Sequence, residues 1–137
     1  MRVLVCGSRT VANPKDKGSE LAKLEADYIA SVLQEGYGHY DLLIQGEAPG
    51  ADSVAKAWAW RNGIRTADYP AQWNVYGKKA GFVRNALMLS DGKPDLVLGF
   101  TDKFLHESVG TDMMLRLARK AGVTIHHFRT DKGQQEF

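Results

Sequence analysis

Residues Gly77 to Asn85, reading GKKAGFVRN, place two glycines, two lysines and an arginine where a loop following Pro70 runs into a helical pattern. Glycines let a ligand approach the backbone. The first turn of a helix offers unpaired N–H donors and the positive end of its dipole, and an arginine grips an oxyanion bidentately. The chemistry this points to is phosphate binding. On an ideal helix Gly77, Gly81, Arg84 and Met88 share one stripe, so Arg84 looks along a face bare of side chains. The same stripe also suits a glycine face packed on a strand, with Arg84 in a surface ion pair. What separates the two readings is where the other glycines fall.

Five short apolar runs must position these groups: Val3 to Cys6, Leu42 to Ile44, Thr66 to Tyr69, Leu96 to Phe100 and Val123 to His126. Three are continuous rather than alternating, as strands covered on both faces are. Between them lie amphipathic stripes of helical spacing. Leu21, Leu24, Tyr28 and Val32 mark the first, Ala51, Ala55 and Trp58 the second, the GKKAGFVRN segment the third, and Met114, Leu117, Ala118 and Ala121 the fourth. Gly36, Gly63, Gly92 and Gly122 follow the four helices as C-terminal stop signals. Alternating strands and helices joined by right-handed crossovers predict an α/β fold, a single Rossmann-like doubly wound domain with a five-stranded parallel sheet and helices on both faces. The first and fourth strands are expected side by side at its centre. The domain spans residues 1–129, and the polar tail 130–137 is expected to fray.

In such a sheet a ligand sits outside the carboxyl ends of the strands, near the point where strand order reverses. The loops at that edge are Gly7-Ser8-Arg9-Thr10, Gly46-Glu47-Ala48-Pro49-Gly50-Ala51-Asp52, Pro70-Ala71-Gln72-Trp73 leading into GKKAGFVRN, and a long loop ending Gly110-Thr111-Asp112. Glycine and ligand-binding groups in all four favour a pocket over scattered turns. The Gly7-Ser8-Arg9 backbone and the hydroxyls of Ser8 and Thr10 suit one phosphate, with Arg9, Lys78, Gly81, Arg84 and Asn85 as further contacts. In the second loop Gly46 and Gly50 shape a tight turn, and Asp52 reads either as a ligand contact or as a helix N-cap. Glu47 is the candidate for a ribose diol, as acidic residues are in dinucleotide folds. Trp73 and Tyr76 read as stacking surfaces for a base, or as core or lid aromatics. Gly110 and Thr111 open the fourth helix with two more anion-binding groups.

Composition narrows the function classes. The 137 residues suffice for one core, and 44% hydrophobic with 25% charged residues is ordinary globular composition. A net charge of +2 is too small to argue for nucleic acid. No apolar run approaches a membrane span, and no signal-peptide pattern precedes the first strand, so a cytoplasmic protein is expected. The lone Cys6 reads as a buried small hydrophobe. His39, His106, His126 and His127 form no metal-binding pair, and neither GxGxxG nor a P-loop is present; neither a metal nor a cofactor is expected.

The series V-x-V-C-G-S-R, Q-G-E-A-P-G-A-D, P-A-x-W-x-x-Y-G-K-x-A-G-x-x-R-N-x-x-M, P-D-L-V-L-G-F and G-T-D resembles the YspA-like branch of the SLOG superfamily, relatives of the Lonely Guy phosphoribohydrolases, to about Phe128. The resemblance implies a Rossmann-like domain that binds a nucleotide or nucleotide-derived, phosphoribosyl ligand, in some members within signalling or conflict systems, and a homodimer paired through helices flanking the site. Phe82, Leu87 and Leu89 offer apolar surface for such pairing, or belong to the core. Arg84-Asn85 with Met88 is similar to the R-K-x-x-M element of the Lonely Guy enzymes, whose arginine helps form the active site. Gly110-Thr111 is similar to the Gly-Thr of their P-G-G-x-G-T-x-x-E motif, but the P-G-G is missing and the glutamate position falls on Met114. Binding without turnover is therefore the leading expectation. The alternative is N-glycosidic hydrolysis of nucleoside monophosphates, with Arg84 on the phosphate and Glu47 or Asp112 as the catalytic carboxylate. A third reading, single-stranded DNA binding as in the distantly related DprA proteins, rests on mild basicity alone.

Overall fold

The computed structural model describes residues 1–35, 38–104 and 108–137. Gly36 and His106 lie outside the described residues. Six strands form one sheet: β1 (Arg2–Gly7), β2 (Leu42–Gln45), β3 (Thr66–Asp68), β4 (Leu96–Thr101), β5 (Thr124–Arg129) and β6 (Gly133–Gln135). Their order is β3-β2-β1-β4-β5-β6. The first five are mutually parallel, and β6 runs antiparallel to β5. The helices are α1 (Pro14–Lys17), α2 (Ser19–Glu35), α3 (Ala51–Arg61), α4 (Trp73–Tyr76), α5 (Ala80–Ser90) and α6 (Val109–Lys120), with a 3-10 turn at Gly77–Lys79.

Alternation along the strands sorts the core into two layers. Val3, Val5, Leu43, Leu98 and Phe100 face one side and pack with Ile29 and Leu33 of α2 and Ala55 and Trp58 of α3. Leu4, Cys6, Ile44 and Val97 face the other and pack with Met88 of α5 and Met114, Leu115 and Ala118 of α6. Val3, Leu4 and Val5 are fully buried, each contributing about 1.5–3 kcal/mol relative to exposure. Helices thus cover both faces, and the doubly wound architecture read from the sequence is present. Strands β1 and β4 are neighbours at the centre, with Val5 opposite Leu98 and Cys6 opposite Gly99. The chain winds outward from β1 through β2 to β3 and then resumes on the other side at β4, so the reversal lies between β1 and β4.

The sheet is not the five-stranded parallel one expected, because the polar tail supplies a sixth, antiparallel strand. The turn before it is tied down. Thr130 N–H donates to the Thr101 carbonyl at 2.9 Å, the Thr130 hydroxyl donates to the Glu25 carboxylate, and Arg129 Nη2 meets Asp131 Oδ2 at 2.8 Å.

Helix α2, the first helical stripe read from the sequence, is also rotated from its expected phase. Its buried stripe is Ala22, Glu25, Ile29 and Leu33, whereas Leu21 and Leu24 are exposed. The turn toward Glu25 brings its carboxylate to Lys17, to the Ala12 N–H at 3.0 Å and to Thr130. In α6 the buried residues are Thr111, Met114, Leu115 and Ala118, and Ala121 is exposed. Gly63 and Gly122 adopt the left-handed conformation of a helix stop, but after α5 that conformation falls on Lys93 rather than Gly92. No helix among the described residues is long and apolar enough to cross a membrane.

Candidate functional site

A cavity of about 280 Å³ opens at the carboxyl ends of β1 and β4, where the strand order reverses. All four loops read from the sequence reach it. Gly7 and Arg9 come from the first, Ala48 and Asp52 from the second, Trp73, Lys78, Gly81, Arg84 and Asn85 from the third and its helix, and Gly110 and Thr111 from the fourth.

Helix α5 does not begin where the sequence suggested. Gly77, in the left-handed region at φ 59°, caps α4, and the 3-10 turn places Lys78 and Lys79 before Ala80, whose N–H donates to the Gly77 carbonyl. The stripe that faces the cavity is therefore Gly81, Arg84 and Met88 with Asn85 beside it, and Gly77 is not part of the lining. Arg84 is held from two sides: Nη1 donates to the Gly46 carbonyl, and Nε donates to Asn85 Oδ1 at 2.9 Å. Asn85 Nδ2 in turn donates to the Gly110 carbonyl at 3.2 Å, linking α5 to the first turn of α6. A charged group fixed before a ligand arrives loses little entropy on binding it.

In the first loop the hydroxyls face the wrong way for the role expected of them. Ser8 is buried and does not line the cavity, and its hydroxyl has no hydrogen-bond partner among the described residues. Thr10 donates to Asp102 Oδ2 at 2.8 Å. Asp102 belongs to a buried network behind the loop, where Lys17 Nζ bridges it to Glu25 with both partners and the lysine itself almost sealed from solvent. Arg9 does face the cavity, with its guanidinium 5.4 Å from the Trp73 ring centroid, a cation–π contact at the mouth.

The carboxylates are distributed differently from the expectation. Glu47 sits in the left-handed region at φ 60°, and its side chain turns out to Lys56, which also bonds Asp68 Oδ2 at 3.0 Å; Glu47 does not line the cavity. Asp112 pairs with Arg116 Nε at 2.8 Å on the outer side of α6 and is likewise absent from the lining. Among the described residues, Asp52 is the carboxylate that lines it. The residue is buried at the second position of α3, and it is not the N-cap, a position held by Gly50. Its Oδ2 accepts from the N–H groups of Gly46 at 3.0 Å and Ala48 at 3.2 Å, folding the loop back over the helix start. Burial pushes its carboxyl up from 3.8 to about 6, against the opposing pull of the two amides and Arg84. Gly50, at φ 93°, packs where a Cβ would stand 2.5 Å from the Val11 carbonyl oxygen; it joins the two loops without facing the cavity.

Tyr76 faces a neighbouring hollow of about 220 Å³, with Tyr69, Val83 and Leu87, which meets the cavity at Arg84. Phe82 and Leu87 remain exposed, whereas Leu89 packs on the core. Met88 completes the lining on the stripe read from the sequence, whereas Cys6, Phe82 and Val109 were not expected there. Cys6 is legible only in hindsight, as the residue before a cavity-lining glycine. Burial pushes its thiol well above the ordinary range, so it contributes a neutral floor rather than a thiolate. Met114, at the position where the Lonely Guy motif has glutamate, is fully buried in the core layer under α6.

A crevice at the reversal point of a doubly wound sheet, lined by Arg9, Lys78 and Arg84, marks a Rossmann-like domain. The chain belongs to the YspA, cpYpsA-related SLOG family, whose model matches residues 1–76. That match contains Arg9, Asp52 and Trp73. Over nearly the whole chain, including α5 and α6, it is similar to the Gene 61 protein of Mycobacterium phage D29, with 36% identity over 135 residues that span 93% of this chain and 95% of that protein. No solved structure matches it.

Proposed function

We propose that the chain binds a nucleotide-derived, phosphoribosyl ligand in the cavity, with its phosphate on Arg84, Arg9 and Lys78 and the Gly110-Thr111 backbone, and with Trp73 at the mouth against a base. The observation that carries this reading is the convergence of Arg9, Lys78 and Arg84 on one cavity whose lining, among the described residues, holds a single carboxylate, Asp52. An excess of two positive charges suits a dianionic phosphate. The size supports the same class: about 280 Å³ lies just under the usual range for drug-sized ligands, which leaves a base outside the enclosed volume and beside Trp73. Family membership supports a nucleotide-related ligand in general terms.

Isothermal titration calorimetry with ribose 5-phosphate and adenosine monophosphate tests it. Arg84→Ala is expected to weaken binding by about 2–5 kcal/mol, roughly 30- to several thousand-fold, with the circular dichroism spectrum unchanged. Unchanged affinity removes Arg84 from the site. The proposed assembly is a homodimer joined near the cavity through Phe82 and Leu87, and light scattering that finds a monomer rejects it.

A further inference from the structure

A carboxylate facing a phosphate-binding cavity is a liability unless the ligand brings it a donor. Asp52 is the carboxylate in that position, and it is only half committed. Both loop amides, from Gly46 and Ala48, donate to Oδ2. Oδ1 makes no hydrogen bond to a described residue, and it is not among the buried atoms sealed from solvent without a partner. One oxygen is thus anchored and the other is open to the cavity that Asp52 lines. Removing a buried acceptor from water without giving it a donor costs more than the average hydrogen bond returns, so the bound ligand must supply one.

The donor's chemistry follows from the surroundings. An ammonium group would be repelled by Arg84, Arg9 and Lys78, which share the cavity. A neutral hydroxyl suffers no such penalty and makes a charge-assisted bond to the free oxygen. We propose that Asp52 is the hydroxyl-recognising residue of the cavity and makes it selective for phosphorylated sugars that retain a vicinal diol, as ribose does, over their deoxy counterparts. Glu47, the residue the sequence favoured for this role, is engaged by Lys56 outside the cavity. The inference rests on the phosphate-binding reading above and adds the group that discriminates among phosphorylated ligands.

The test compares inorganic phosphate, ribose 5-phosphate and 2-deoxyribose 5-phosphate by calorimetry on the full chain and on Asp52→Asn. The asparagine amide oxygen can keep the two loop amides while its NH₂ replaces the free acceptor with a donor. Wild-type protein is expected to prefer the ribose compound by about 10- to 100-fold, the range of a hydrogen bond to a charged group. In Asp52→Asn that preference should fall below about threefold while affinity for inorganic phosphate holds or rises, since the carboxylate's repulsion is gone. Equal binding of the two sugars by the wild-type protein overturns the proposal, even if the variant fails to fold. A variant that keeps the full preference overturns the assignment to Asp52. If wild-type protein binds none of the three probes, the phosphate-binding reading itself fails, and this inference with it.

Discussion

A Cβ placed on Gly46 would stand 2.6 Å from Nη1 of Arg84 and 2.9 Å from its Cδ and Cζ. The carbonyl of the same glycine accepts the hydrogen bond from that nitrogen. The end of β2 therefore acts as the seat of the arginine, and the seat exists only because the residue has no side chain. The arginine and the glycine lie 38 positions apart in the chain and form one device.

Gly46→Ala is expected to unseat the guanidinium while leaving the sheet in place. Overpacking of this kind typically costs about 1–3 kcal/mol of stability. Phosphate affinity should fall by about tenfold or more, because the cation must then be ordered at the ligand's expense. Wild-type affinity in Gly46→Ala, measured by calorimetry, would mean that the seated position of Arg84 is irrelevant to binding.

The network behind the first loop predicts a stability effect separate from binding. Lys17 is the cation between Glu25 and Asp102, and all three side chains are nearly buried. Lys17→Met should lower unfolding free energy by about 3–5 kcal/mol in urea titrations, because two buried carboxylates are left without their counter-charge. A loss under about 1 kcal/mol would show that the carboxylates find other partners. Asp102 itself has its carboxyl held below the ordinary range, with the hydrogen bonds from Lys17 and Thr10 outweighing burial. Its stabilising contribution is present above the unfolded-state value and fades as pH falls through the folded one.

Asp52 carries the opposite sign. Its carboxyl is raised from 3.8 to about 6 in the folded chain, so its contribution is fully present below about pH 4 and is lost as pH rises through 6. A shift of that size corresponds to about 3 kcal/mol. Relative to wild type, Asp52→Asn should therefore gain stability between pH 4 and pH 7.5, by up to that amount, in denaturant melts at the two pH values. A difference that does not change with pH would place the folded-state titration of Asp52 at its ordinary value.

Catalysis offers a further test. Met114 is fully buried, Glu47 pairs with Lys56 and Asp112 pairs with Arg116, so none presents a carboxylate to the cavity. Nucleoside monophosphates incubated with the protein are expected to release no free base by chromatography. Catalytic release would overturn the binding-only reading and turn attention to Asp52, whose replacement by asparagine should then slow the reaction by about a hundredfold or more.

Much of this molecule is written locally. Continuous runs such as Leu96-Val97-Leu98-Gly99-Phe100 can be stable only with both faces covered, so they announce a central parallel strand before any contact is known. Glycines at the ends of β1 and β2 and in the first turn of α6 likewise announce one functional edge, because the connectivity of a doubly wound sheet brings those ends together. What tertiary structure alone decided is direction. Whether Asp52 or Glu47 faces the cavity depends on the path of the loop between Gly46 and Gly50, where Glu47 takes a left-handed conformation and swings out to a lysine on α3. The rotation of α2 was decided by Lys17 and Thr130, partners that sit on other segments and can be satisfied only when Glu25, not Leu24, turns inward. The polar segment Gly133–Gln135 became a strand because the edge of β5 offered it a row of unpaired backbone groups. Apolar periodicity is a property of a segment, whereas the aim of a polar side chain belongs to the pair it forms, and pairing is settled only when distant segments meet.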